Sequence, residues 1–156
     1  SIAVSRPAML FIEMLRQLLE NKGVTITGQN KVINAAEKKV LGTASTVPPV
    51  IIAGLDSPPL SIIAAKTMKP SQNMYTETIL RILGEQLGDK TNPNATSEAR
   101  GINVIKNFMS QIGNPPDSII QWDGSGLSRH NLITPASNVR LYEYLAKGAN
   151  APAWRD

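Results

Sequence analysis

Cysteine is absent from the 156 residues, which excludes a disulfide scaffold and any zinc site built on thiolates. One histidine is too few for a histidine-rich catalytic metal centre, although composition leaves carboxylate sites for calcium or magnesium open. No metal or cofactor is expected. Aromatic residues are 4% of the chain and are not interleaved with cations, so the stacking platform of a single-strand nucleic-acid binder is missing. Long apolar runs are missing too: the stretch from Val47 to Leu55 contains two prolines and falls well short of the ~20 residues that cross a bilayer. No transmembrane segment is expected.

Charge of one sign is also in short supply. Sixteen Lys+Arg against twelve Asp+Glu give a formal +4, and Lys38-Lys39 is the only adjacent basic pair. That pattern reads as a solvated surface and not as a nucleic-acid footprint. Ser1 to Arg6 shows no basic region followed by an apolar stretch and does not start with Met, so no secretion signal is visible and an upstream segment is expected to have been removed. A thiol-free chain declares no compartment. What is present, 42% hydrophobic and 18% charged residues, suffices for one domain or for a piece of a larger one.

Pro7 suits a first helical turn, and Phe11, Met14, Leu15 and Leu18 follow at helical spacing until Gly23. Val24 to Thr27 alternates with period two and Val50 to Leu55 is a short apolar run, so both read as strands, with Gly28 to Pro49 irregular between them. Pro58-Pro59 opens a helix that Pro70 interrupts, and Met74 to Leu87 continues as a second helix, apolar on most sides and expected to be buried. Ser97 to Ile112 carries an apolar stripe closed by Gly113. Ile119 to Trp122 reads as a short strand, Asp123 to Asn131 as an ordered polar loop, and Thr134-Pro135 as the cap and first residue of a last helix. About five helices with so few strands do not complete a sheet layer, which usually needs ~4 to 6 strands. The chain reads as the helical part of something larger.

Two loops place small polar residues beside apolar elements. In Lys69-Pro70-Ser71-Gln72-Asn73, Ser71 stands at a helix start, where its hydroxyl either caps the helix or points into a cleft. In Asp123-Gly124-Ser125-Gly126-Leu127-Ser128-Arg129-His130-Asn131, glycines flank Ser125, and Asp123 and Arg129 are of opposite sign, suited to bracing the loop or to binding a charged ligand. The glycine spacing is not that of a dinucleotide fingerprint or a Walker loop, and it misses the Gly-x-Ser-x-Gly nucleophile elbow by one residue. His130, with no acid and nucleophile beside it in sequence, reads as a surface or packing residue.

These two loops, together with Ser57-Pro58-Pro59-Leu60-Ser61-Ile62-Ile63, resemble the class C, DacB-type (penicillin-binding protein 4) D-alanyl-D-alanine carboxypeptidases of serine peptidase family S13. The resemblance extends over nearly the whole chain, and Asp123 to Asn131 carries most of it. Enzymes of this kind use a Ser-x-x-Lys that supplies the nucleophile, a Ser-x-Asn, and a Lys-Thr-Gly strand that aligns the substrate. Only the middle motif is found here, as Ser71-Gln72-Asn73, with Gln72 where the family usually has Asp. No Ser in the 156 residues has Lys three positions later, and Lys66-Thr67-Met68 and Lys90-Thr91-Asn92 both lack the glycine.

The resemblance implies an α+β, mainly helical fold: the helical part of a β-lactamase/transpeptidase-like (penicillin-binding protein) domain with a few short strands. Residues 1–156 are then a partial domain, with 24–56 an irregular, short-strand excursion within it. It also implies a periplasmic hydrolase acting on peptidoglycan stem peptides through an acyl-enzyme, with β-lactams as inhibitors of the parent enzyme. Ser71 would help shuttle a proton to the leaving amine, and Asn73 would hold the substrate amide or the nucleophile's Lys. Arg129, Leu127 and Ser128 would line the wall that meets the stem peptide, with the guanidinium available to a carboxylate of its third residue. Asp123 would support the loop. Without the other motifs and the rest of the catalytic domain, this chain alone is expected to be inactive. The same residues are compatible with a second class of function, a module that binds muropeptides without cutting them.

Overall fold

The computed structural model describes residues 4–44, 51 and 53–155. It is mainly helical with two short strands among the described residues, the α+β class expected. The chain divides into two compact units, Ser1–Leu55 and Asp56–Asp156.

In the first unit, α1 (Pro7–Asn21) begins with its proline in the first turn and has no buried residue. It ends before Gly23, whose φ is 84°. The Arg16 guanidinium donates to the carbonyls of Ile26 and Gly28, each at 2.6 Å, and so ties the returning chain to the helix. Val24 to Thr27 is not a strand, contrary to its alternation: a period-two pattern forms a ladder only when a second strand supplies the hydrogen bonds, and none pairs with it among the described residues. The stretch expected to be irregular contains α2 (Ala35–Ala44). Its start is a reciprocal box in which Asn34 Oδ1 accepts from the Glu37 amide at 2.9 Å and Glu37 Oε2 accepts from the Asn34 amide at 2.8 Å. Of the strand expected over Val50 to Leu55, Val50 and Ile52 lie outside the described residues, and 51 and 53–55 are not extended into a ladder.

The second unit holds α3 (Leu60–Met68), α4 (Asn73–Leu87), α5 (Ser97–Gln111), β1 (Ile119–Ile120), β2 (Leu132–Ile133), α6 (Pro135–Lys147) and α7 (Ala151–Arg155). Seven helices are thus present among the described residues where about five were expected, α2 and α7 being the additions. Thr96 and Thr134 cap α5 and α6 by accepting from the amides of Ala99 and Ser137.

The main packing contact is α4 against α5. A Cβ on Gly84 would run into the Ser97 carbonyl and the Gly101 amide, and one on Gly101 would run into the Leu80 carbonyl. The two backbones meet at these glycines because neither carries a side chain to separate them. Arg100 crosses the seam, donating to Ala95 O at 2.6 Å and Gly84 O at 3.3 Å and pairing with Glu85. The interior is narrow: Leu80, Met109 and Ala151 are the buried hydrophobic residues among those described. Accordingly α4 is not buried on most sides. It buries Leu80 and Gly84, while Met74, Ile82 and Leu87 stand in solvent.

Strands β1 and β2 are antiparallel, with Ile119 opposite Ile133 and Ile120 opposite Leu132. The pairing matters for function because the loop they close, residues 121–131, contains the Asp-Gly-Ser-Gly segment. Among the described residues, no helix is long and apolar enough to cross a membrane.

Candidate functional site

The break between α3 and α4 comes from Pro70, which cannot supply the amide that a continued helix needs. The Ser71 amide donates to Met68 O at 3.3 Å and the Gln72 amide to Thr67 O at 2.9 Å, closing the turn. Ser71 takes φ 56°, the left-handed region, and is the only non-glycine residue among those described to do so. Such a conformation costs a non-glycine residue about 1–2 kcal/mol. Ser71 does not cap α4: the cap position belongs to Gln72, which makes no side-chain cap bond. The Ser71 hydroxyl is therefore exposed and unused by the fold among the described residues. Asn73 is the first residue of α4 and is also exposed, its carbonyl accepting from Thr76 Oγ1 at 2.8 Å.

The 121–131 loop is organised around Asp123. One carboxylate oxygen accepts from the Gly126 amide at 2.7 Å and from Asn131 Nδ2 at 2.9 Å, and the other from the Ser128 amide at 2.6 Å. Burial raises the pKa of this carboxyl, but hydrogen bonds from Asn131, Gly126, Ser128 and Ser125 outweigh it and hold the group below its ordinary value. Asn131 closes the loop further, its Oδ1 accepting from the Trp122 amide at 2.8 Å. Arg129 is not the brace that its sign suggested. It forms no ion pair with Asp123 among the described residues and is exposed.

The remaining sequence candidates sit on the outer turn. Leu127 is 76% exposed. The Ser128 hydroxyl oxygen accepts from the His130 amide at 3.2 Å, so part of its bonding capacity is spent within the turn. His130 packs against Trp122 with ring centroids 5.3 Å apart and ring planes tilted by 45°.

The loop is docked on α4 by a residue that sequence reasoning did not single out. Glu77 Oε1 accepts from the amides of Gly124 and Ser125, each at 3.0 Å. Its other oxygen pairs with Arg81 at 3.0 Å. At this contact a Cβ on Gly124 would lie 2.6 Å from the Thr76 carbonyl oxygen, so the loop backbone reaches α4 only with glycine there. Thr76 and Glu77 lie within the first two turns of the helix that Asn73 begins. Beneath the docked segment a cavity of about 230 Å³ is lined by Thr67 and Met68 of α3, Thr76, Ile79 and Leu80 of α4, and Gly124.

The structure thus places Ser71 and Asn73 at one end of α4 and fixes the Asp123–Asn131 loop beside the turn that follows them. It presents an exposed hydroxyl, an exposed carboxamide and a guanidinium free of ion pairs among the described residues. The only signal for Glu77 was a carboxylate on the presumed helix face four residues after Asn73; the partner lies 47 residues on.

Residues 1–156 match the family described as the D-Ala-D-Ala carboxypeptidase 3 (S13) family. The chain is 28% identical over 159 residues to a penicillin-sensitive carboxypeptidase A of Dictyostelium discoideum, covering 97% of this chain and 27% of that protein. It is 27% identical over 147 residues to the D-alanyl-D-alanine carboxypeptidase DacB of Haemophilus influenzae (94% and 28%), and 28% identical over 151 residues to a D-alanyl-D-alanine carboxypeptidase of Actinomadura (97% and 26%). It spans about a quarter of the length of these relatives. No solved structure matches significantly. With a family match from the first residue to the last, the chain belongs to the D-Ala-D-Ala carboxypeptidase 3 (S13) family.

Proposed function

We propose that these residues form one wall of the catalytic cleft of a serine-type D-Ala-D-Ala carboxypeptidase that acts on peptidoglycan stem peptides outside the cytoplasm. The observation that carries this reading is the docking of the Asp123–Asn131 loop on α4, beside the end that bears Ser71 and Asn73. It supports the reading because it ties the loop that carries Arg129 to the helix whose first residue is Asn73.

In the intact enzyme a serine outside this segment attacks the carbonyl carbon of the terminal peptide bond. An ester forms between that serine and the acyl group, the C–N bond breaks, and D-alanine leaves with a proton on its amine; water then hydrolyses the ester. Ser71 relays the proton to the leaving nitrogen. Its left-handed backbone and lack of a capping partner support this role, since strain of that kind persists where the surroundings enforce it and is common at reacting sites. Asn73 offers a donor and an acceptor in one planar group, which suits it to holding the substrate amide or the nucleophile's Lys. Arg129 pairs with a carboxylate on the third residue of the stem, with Leu127 and Ser128 beside it and Asp123 holding the turn.

The many exposed apolar side chains, Leu60, Met74 and Leu87 among them, support a partial domain whose remaining layer covers them. The test is D-alanine release from a stem pentapeptide by the intact protein, with Ser71→Ala alongside. The account expects turnover that falls at least about 100-fold in the variant. Saturable stem-peptide binding by the 156 residues alone, with no release by the intact protein, would instead identify a module that holds muropeptides without cutting them.

A further inference from the structure

Glu77 is the α4 side chain that holds the 121–131 loop, and the mechanism above gives it no task. Its carboxylate collects two amides of the 121–131 loop on one oxygen and Arg81 on the other, and Arg81 reaches Glu98 of α5 at 3.3 Å. Within the loop the amides divide between two carboxylates: Glu77 holds Gly124 and Ser125, and Asp123 holds Gly126 and Ser128. Asp123 therefore fixes the shape of the loop, but as a member of the loop it does not fix where the loop lies. Position comes from α4, through Glu77 and through the close approach of Gly124 to the Thr76 carbonyl. The side chain of Glu77 is 23% exposed, so its two amide bonds are partly shielded from competing water.

Resting on the function proposed above, we infer that Glu77 is a positioning residue for the acylation step, one that sets the distance between the Arg129-bearing loop and the helix end carrying Ser71 and Asn73. It touches neither substrate nor nucleophile. It acts by reach: an oxygen at the length of a Glu side chain meets the amides of Gly124 and Ser125. Charge is secondary, because a neutral carboxamide oxygen at the same reach accepts the same two bonds.

Three substitutions in the intact protein separate reach from charge. Glu77→Gln keeps the reach and loses the charge, Glu77→Asp keeps the charge and draws the oxygens back by one methylene, and Glu77→Ala loses both. Two readouts apply at a temperature where all four proteins are folded: the acylation rate by a fluorescent penicillin, and amide hydrogen exchange of the segment 122–131.

Glu77→Gln should acylate within about threefold of the unsubstituted protein, while Glu77→Asp and Glu77→Ala should slow by about 10- to 100-fold, the scale of a misplacement near 1 Å. Exchange in 122–131 should rise in the two slow variants and stay low in Glu77→Gln, with α5 unaffected in all. An Asp variant that acylates normally while Gln does not would overturn the inference in favour of a charge role toward Arg81. Unchanged acylation in Glu77→Ala overturns it outright, and so does a slow rate accompanied by faster exchange throughout α4 and α5, which marks general loosening. If the unsubstituted protein takes no penicillin, the proposed function itself fails and takes this inference with it. That result is distinct from a labelled wild type with indifferent variants.

Discussion

Glu77 and Gly124, 47 residues apart in sequence, meet through a 3.0 Å hydrogen bond from the glycine amide to the glutamate carboxylate. Around that contact the loop backbone comes so near α4 that a Cβ at position 124 would lie 2.6 Å from the Thr76 oxygen and 2.9 Å from its carbon. The helix that begins at Asn73 and the loop that presents Arg129 are joined here, and the shape of the proposed cleft wall follows from it.

Gly124→Ala should therefore undock the loop. The added methyl meets backbone and not a flexible side chain, so the expected cost is about 1–3 kcal/mol, measurable by urea denaturation. Gly126→Ala is the control. It carries φ 76° with nothing within 4 Å of a new Cβ, so its cost is conformational alone, about 1 kcal/mol, and loop exchange should change little.

At position 71, glycine should raise stability where alanine does not. Ser71 sits at φ 56°, a region open to Gly and strained for Ala and Ser alike. Ser71→Gly should gain up to about 1 kcal/mol, and Ser71→Ala nothing. Both should cut turnover by the intact protein at least about 100-fold, because both remove the hydroxyl. A gain in stability with loss of activity is the signature of a residue kept for chemistry, and chemical denaturation with D-alanine release reads the two sides.

The order of the loop should depend on acid. Hydrogen bonds hold the Asp123 carboxyl below its ordinary value despite the opposing effect of burial. A depressed carboxyl contributes stability that is fully present above the unfolded-chain value of about 3.9 and is lost as pH falls through the lower folded value. The amide signals of Gly126 and Ser128 should accordingly hold steady from neutral pH down to about pH 4 and shift below it. Asp123→Asn should remove this dependence.

Much of the helical architecture was legible in sequence, because caps and apolar spacing act within a few residues. Pro7, Thr134-Pro135 and Gly113 each mark a helix end that the structure confirms. Alternation over Val24 to Thr27 misled for the opposite reason: a strand requires a partner, and none is written in its own four residues. The Asn34 and Glu37 box that starts α2 is local, but its signal is only one Asn-x-x-Glu within a stretch that has no clear apolar stripe. In the site, the glycines around Ser125 announced a shaped loop, and Asp123 accepts three hydrogen bonds within it. Arg129 did not pair with Asp123, because the loop amides and Asn131 supply the carboxylate with closer donors. Glu77 was illegible because its function depends on a docking that no short window contains.

The α4–α5 seam should tolerate no side chain at Gly84. An added methyl would press on the Ser97 carbonyl and the Gly101 amide, both backbone, so Gly84→Ala should cost about 3 kcal/mol or more. Thermal unfolding would show it, with Gly42→Ala as the contrast: it meets open space inside α2 and should gain about 1 kcal/mol from helix propensity.

Substituting Arg129 should alter selectivity and leave folding intact, since its guanidinium forms no ion pair among the described residues. Arg129→Ala should raise KM roughly tenfold for stem peptides bearing a third-residue carboxylate, the worth of one charged hydrogen bond, and leave peptides without that carboxylate unaffected. Equal losses for both peptides would remove Arg129 from the recognition surface.

Covalent capture by a fluorescent penicillin tests the central claim most directly. The account holds that the attacking serine lies outside Ser1 to Asp156, since no serine in this segment is followed three residues later by lysine. The intact protein should take up one equivalent of label, and the 156 residues alone should take up none. Stoichiometric labelling of the isolated 156 residues would contradict the account, because it would put the nucleophile inside the segment that is proposed to be only a wall.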